Sequence, residues 1–181
     1  MTGESRPARA TIITDASLCH DTKAAGWAAW CKSDTSSVSQ TWSGVLKASP
    51  ANSGEAELFA IANGLHVAAK SGALNGVAEV MLQSDATNAL GWIVRLVPCA
   101  TISAHKNSAP LSIPGAKPSE NISAAIATIQ AIVTKLNLKL TCRHVRGHTA
   151  GNGRQWVNRK CDELAKAAMK SERAVREAAL G

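Results

Sequence analysis

The sequence has no unbroken apolar stretch of the roughly 20 residues that a membrane-spanning helix needs, although 45% of its 181 residues are hydrophobic. It also lacks an apolar signal core. The opening MTGESRPARATIITDAS is basic and runs directly into a strand-like segment, so a cytoplasmic chain with no membrane partner is expected. No linker, internal repeat or heptad run divides the chain, and 18.8 kDa suffices for a hydrophobic core. Residues 1–9 are expected to be a flexible basic N-terminus and residues 10–181 a single domain. Cysteine is sparse and poorly spaced for staples. The five residues, Cys19, Cys31, Cys99, Cys142 and Cys161, are odd in number and contain no Cys-x-x-Cys pair, which argues against a disulfide framework or a zinc knuckle. Acidic residues are in deficit: 13 against 20 lysines and arginines, for a net charge of +7. That excess suits a polyanionic partner held by salt-sensitive contacts, and equally suits a merely basic surface.

Hydrophobic spacing predicts three short strands in succession, Ala10 to Thr14, Ala25 to Cys31 and Val38 to Lys47, joined by polar turns as a meander. A helix follows from Gly54 to Lys70, with Ser53 as its N-cap and Leu58, Ile61, Leu65 and Ala69 on one stripe. A fourth strand over Gly76 to Gln83 delivers Asp85 at its far end, and Thr87 to Val97 makes a second helix. Ala100 to Glu120, with Pro110, Pro114 and Pro118, is read as a loop or extended excursion. A third helix spans Asn121 to Leu136, a fifth strand Leu138 to Val145, and a last helix Gln155 to Leu180, with Cys161, Leu164, Ala168, Ser171 and Val175 as its packing positions.

Among the acids, Asp15 ends the first expected strand, Asp85 follows the fourth, Glu57 lies early in the first helix and Asp162 early in the last. Ends of elements at the carboxyl edge of an α/β sheet are where sites gather. Carboxylates converging there repel one another unless cations neutralise them, and an all-oxygen set suits Mg²⁺ or Mn²⁺ better than Zn²⁺. Taken singly, each acid is equally explained as a cap or a partner of a helix dipole.

The segment Ile12-Ile13-Thr14-Asp15-Ala16-Ser17 resembles the opening signature of type 1 ribonuclease H, a strand closing in Thr-Asp-Gly-Ser. Glu57-Leu58-x-Ala60 is similar to the family's first-helix glutamate motif, and Gln83-Ser84-Asp85 to its strand-end aspartate. Val145-Arg146-Gly147-His148, followed by Cys161-Asp162-Glu163-Leu164-Ala165, resembles its Val-Lys-Gly-His loop and closing helix. The matches run in family order over about residues 10 to 170. The resemblance implies an α/β, ribonuclease H-like fold: a five-stranded mixed sheet of order 3-2-1-4-5, strand two antiparallel, with helices on both faces. It implies that Asp15, Glu57 and Asp85 surround one Mg²⁺ and that Asp15 and Asp162 hold a second, with Mn²⁺ as a substitute. The reaction implied is endonucleolytic cleavage of the RNA strand of an RNA–DNA hybrid, leaving 5′-phosphate and 3′-hydroxyl ends. His148 matches the histidine that assists proton transfer or product release. The resemblance also implies that Ser17 to His20, Asn52, Ser53 and Thr87 lie beside the minor groove of the hybrid.

Several features depart from the family pattern. Ala16 replaces the usual glycine. The loop before Asp162 is longer and brings in Arg154 and Trp156, which are suited to contact nucleic acid by charge and stacking. A basic helical handle is doubtful, since Ala100 to Pro118 offers only His105, Lys106 and Lys117. Lys160, Lys166, Lys170, Arg173 and Arg176 of the last helix are one substitute for it. No obligate protein partner is indicated. A nuclease of the same superfold with another substrate, or a catalytically silent nucleic-acid-binding module, remains the alternative.

Overall fold

The structure, a computed structural model, describes residues 6–104, 110–145 and 155–179. The elements in chain order are β1 (Arg9–Leu18), β2 (Ala25–Ser33), β3 (Gln40–Val45), α1 (Ser53–Lys70), β4 (Glu79–Ser84), α2 (Thr87–Leu96), β5 (Ala100–Ile102), α3 (Glu120–Leu136), β6 (Lys139–His144) and α4 (Gln155–Ala178). Among the described residues one sheet runs in the order β3-β2-β1-β4-β6-β5. The neighbours β1/β2 and β2/β3 are antiparallel, and β1/β4, β4/β6 and β5/β6 are parallel.

The five expected strands therefore take the expected order, and β5 adds a sixth at the edge. This corrects the reading of Ala100 to Glu120 as wholly irregular. Three residues are too few for an alternating pattern to show, yet Ala100 to Ile102 pair with Leu140 to Cys142 of β6. Residues 110–118 then lie across α2. Arg95 Nη1 donates to the Pro114 and Ala116 carbonyls at 2.6 Å each, and its guanidinium stacks 5.3 Å from the Trp92 ring. Gly91 makes the crossing possible, since a Cβ there would strike the Ser112 carbonyl.

Side-chain alternation along β1 divides the two faces. Ile12 enters the main core with Leu58, Ile61 and Leu65 of α1, Leu90 and Ile93 of α2, and Ile129 of α3. Ile13 faces the opposite way, onto Val157, Cys161 and Ala165 of α4. The buried stripe of α4 thus starts at Val157, and Val175, expected to pack, is 64% exposed. Beyond Met169 the helix is held by polar contacts instead, including Arg176 Nη1 on the Thr22 carbonyl at 3.1 Å. The close seat of α4 on the sheet depends on Gly26 of β2, where a Cβ would run into the backbone of Ala165 and Met169.

Candidate metal centre

The site forms where β1 and β4 part. Their parallel ladder ends at Ile13 and Gln83, whereas β1 continues against β2 through Asp15, Ala16, Ser17 and Leu18. Asp15 therefore lies within the strand and does not end it, as the sequence suggested. Its partner Ala28 holds it in extended backbone just beyond the last β4 contact. Asp85 follows the end of β4, so both aspartates flank the notch at the carboxyl ends of parallel strands, where the sheet order reverses.

Helix α1 brings the third acid. Asn52, not Ser53, is its N-cap: Asn52 Oδ1 accepts the Glu55 N–H at 3.0 Å. An Asn at this position stabilises a helix start by about 1 kcal/mol. Glu55 in the first turn and Glu57 just beyond it then diverge. Glu55 is 6% exposed and turned toward α3, accepting from the Ala51 N–H at 2.9 Å, Asn121 Nδ2 at 2.8 Å and the Ser119 hydroxyl at 2.8 Å. Glu57, 9% exposed, turns into the notch, where its Oε1 accepts the Ala16 N–H at 3.1 Å. Ser84, fully buried, places its hydroxyl 3.5 Å from Glu57 Oε2 and accepts the Ala86 N–H at 3.1 Å. Ser84 is a partner of the site that sequence reasoning missed; its place directly before Asp85 was the available signal.

Carboxylate oxygens of Asp15, Glu57 and Asp85 lie within 4.8 Å of one another. Burial, then the charges of Asp85 and Asp162, push Asp15 from its ordinary 3.8 to about 7. Burial, then Asp15 and Asp85, push Glu57 well above the usual carboxylate range. Asp15 and Glu57 thus favour their protonated forms more than ordinary carboxylates do, and a cation beside them would oppose that shift. The set fits a hard divalent ion.

Asp162 is not part of this trio. It stands on α4, near enough to Asp15 for its charge to be felt, with Oδ2 2.7 Å from Lys166 Nζ. Cys161 seats that turn of the helix: its thiol donates to the Ile13 carbonyl at 3.8 Å, and burial first of all pushes it up to about 12. It acts as packing.

Of the other residues singled out from sequence, Ser17 lies half-buried in β1, Asn52 and Ser53 are exposed at the start of α1, and Thr87 opens α2. Trp156 is 51% exposed in the first turn of α4. His148 and Arg154 fall outside the described residues, as do His105 and Lys106. Among the basic residues of α4, Arg173 is paired with Glu177 and Arg176 with Glu172, which reduces the charge they offer as a substitute handle.

This sheet order, with helices on both faces and an acidic notch beside β1, defines the ribonuclease H-like class and supports a metal-dependent hydrolase. A sequence profile described as RNase H matches residues 7–170, and the chain belongs to that family. Among solved structures, the N-terminal RNase H domain of a Mycobacterium tuberculosis protein, determined as a fusion with maltose-binding protein, is similar with a TM-score of 0.63 at 15% identity, covering 93% of this chain and 98% of that one. RNase H1 of the halophilic archaeon Halobacterium salinarum gives 0.59 at 14%, over 90% and 98% of the two chains. LC11-RNase H1, solved in complex with an RNA/DNA hybrid, gives 0.60 at 15%, over 90% and 97%. A search of curated proteins by sequence gives no match.

Proposed function

We propose that this chain hydrolyses the RNA strand of RNA–DNA hybrids endonucleolytically, leaving 5′-phosphate and 3′-hydroxyl ends. The observation that carries the reading is the convergence of Asp15, Glu57 and Asp85 within 4.8 Å, with Asp15 and Glu57 both raised in pKa. Asp15, Glu57, Asp85 and Asp162 would hold divalent ions, Mg²⁺ or Mn²⁺, which when bound would supply a more acidic water and neutralise charge developing on the leaving oxygen. Asp15, Glu57 and Asp85 would hold the first ion, and Asp15 and Asp162 would hold the second. Glu57 is fixed for that task by the Ala16 N–H and by Ser84. His148 shuttles a proton or helps product leave, as an imidazole titrating near neutrality can.

Hybrid selectivity requires neutral groups that test ribose 2′-hydroxyls. Ser17, Asn52, Ser53 and Thr87 are assigned that role, and Arg154 and Trp156 a supporting one by charge and stacking. The family membership and the hybrid bound to LC11-RNase H1 support this substrate, and the net charge of +7 suits a nucleic acid of any kind.

The test is a panel of labelled hybrid, double-stranded RNA, double-stranded DNA and a duplex with one embedded ribonucleotide, each with Mg²⁺, Mn²⁺ or EDTA. Metal-dependent scission of the hybrid is expected. Equal cutting of double-stranded RNA would move the substrate class, and binding without scission would favour a silent module.

A further inference from the structure

We propose that Asn158 is a positioning residue for the acidic notch, acting through a single water that bridges its side-chain amide oxygen to one carboxylate of the Asp15–Asp85 pair. The inference rests on the hydrolase reading above and adds to it a residue that reading does not use.

A gap of about 10 Å³ is bounded by Thr14, Asp15, Asp85, Val145 and Asn158. A space of that size holds about one water when its walls are polar. Two wall residues carry buried polar atoms with no hydrogen-bond partner among the described residues: Asn158 Oδ1, and the hydroxyl of Thr14, which is 4% exposed. Leaving such an atom unmade costs roughly 1–3 kcal/mol. The nearest alternatives do not relieve it. The ionised Asp15 and Asp85 carboxylates and the Asn158 amide oxygen are all acceptors, so the amide oxygen in this orientation makes no direct bond to either carboxylate. The Val145 N–H is already spent on the Ser84 carbonyl at 3.0 Å. A water meets the chemistry of this gap because it donates twice, to the amide oxygen and to a carboxylate, and accepts once, a bond the Thr14 hydroxyl is able to supply.

Asn158 also stands one turn before Asp162 on α4, beside the buried Val157. A bridge from Asn158 to the floor of the notch therefore fastens the helix turn that carries Asp162 to the strands that carry Asp15 and Asp85. Partners that orient metal ligands in this way typically change metal affinity 10–100-fold when removed.

The experiment is Mn²⁺ titration calorimetry on the full chain, comparing wild type with Asn158→Leu and Asn158→Asp, alongside kcat and KM on hybrid. Leu expels the water and is expected to weaken Mn²⁺ binding about 10-fold and to lower kcat with KM unchanged. Asp keeps an acceptor oxygen in place and is expected to retain wild-type affinity or better. Wild-type affinity in Asn158→Leu, or an equal loss in Asn158→Asp, overturns the proposal. Should Asn158→Leu fail to fold, Asn158→Ala replaces it, with at least a threefold loss expected (about 0.6 kcal/mol) and wild-type affinity again overturning the proposal. A wild-type chain that binds no Mn²⁺ overturns the hydrolase reading itself, and the proposal with it.

Discussion

Lys166 Nζ lies 2.7 Å from Asp162 Oδ2, one helical turn away on α4. The ammonium sits where a cation bridging Asp162 and Asp15 would compete for the same carboxylate, and Asp162 raises the Lys166 pKa in return. With the lysine side chain 48% exposed, the pair contributes little to stability. Lys166→Met is therefore expected to leave the fold intact and to lower the Mg²⁺ concentration for half-maximal cleavage about two- to threefold, a change of the size that one screened ion pair carries. A metal titration of the initial rate measures it, and an unchanged or higher requirement would show that Lys166 does not compete.

The contact between Gly26 and α4 makes a sharper demand. A methyl at this position meets the Ala165 carbonyl and the Met169 backbone, neither of which can rotate away. Gly26→Ala is expected to cost roughly 2–4 kcal/mol by overpacking, read as a lower midpoint in urea, and to reduce activity by moving Asp162 off Asp15.

The acidic notch makes the metal-free protein sensitive to pH in the opposite sense from most carboxylates. Asp15 rises from 3.8 unfolded to about 7 folded, so the native state holds the proton more tightly. Its stabilising effect is complete below about pH 4 and is lost as the pH rises toward 7; Glu57 works in the same direction. Thermal melts with Mg²⁺ and with EDTA are expected to show Mg²⁺ raising Tm more at pH 8 than at pH 5. Asp15→Asn is expected to raise the metal-free Tm at pH 8 by about 3 °C or more, roughly 1 kcal/mol for a chain of this size, while removing the response to Mg²⁺.

Glu55 titrates the other way. Burial alone would raise it, but the Ala51 N–H, Asn121 and Ser119 outweigh burial and hold it below its ordinary 4.5. Its contribution is present above that value and lost as the pH falls through the lowered one. Glu55→Ala strands three donors at the junction of α1 and α3 and is expected to cost roughly 2–3 kcal/mol at pH 7, with the difference from wild type shrinking below about pH 4. Urea melts at the two pH values check it.

The strands and helices were legible because their apolar spacing is set by which face meets the core, as Ile12 and Ile13 illustrate on opposite sides of β1. The choice of Glu57 over Glu55 was not legible from spacing, since both lie near the start of α1. It came from the family resemblance, and the structure separates the two by what they touch. Strand β5 escaped notice because three residues show no period; on α4, Cys161 and Leu164 pack as expected, whereas Val157 and the small Ala165 were missed and Val175 is exposed. Asn52 rather than Ser53 caps α1 because either side chain is able to do so and only the local backbone decides. The roles of Ser84 and Asn158 needed three dimensions, since each depends on groups brought together from separate elements.

The most direct test of the central claim is cleavage of a hybrid carrying end-labelled RNA by wild type, Asp15→Asn and Asp162→Asn, with Mg²⁺ and with EDTA. The account predicts internal cuts in the RNA strand alone, ending in 5′-phosphate and 3′-hydroxyl, only with metal, and a loss of at least about 100-fold in either variant, in line with removing a metal ligand or its close partner. Cleavage that persists in EDTA or in Asp15→Asn, or no cleavage by wild type with either Mg²⁺ or Mn²⁺, would contradict it.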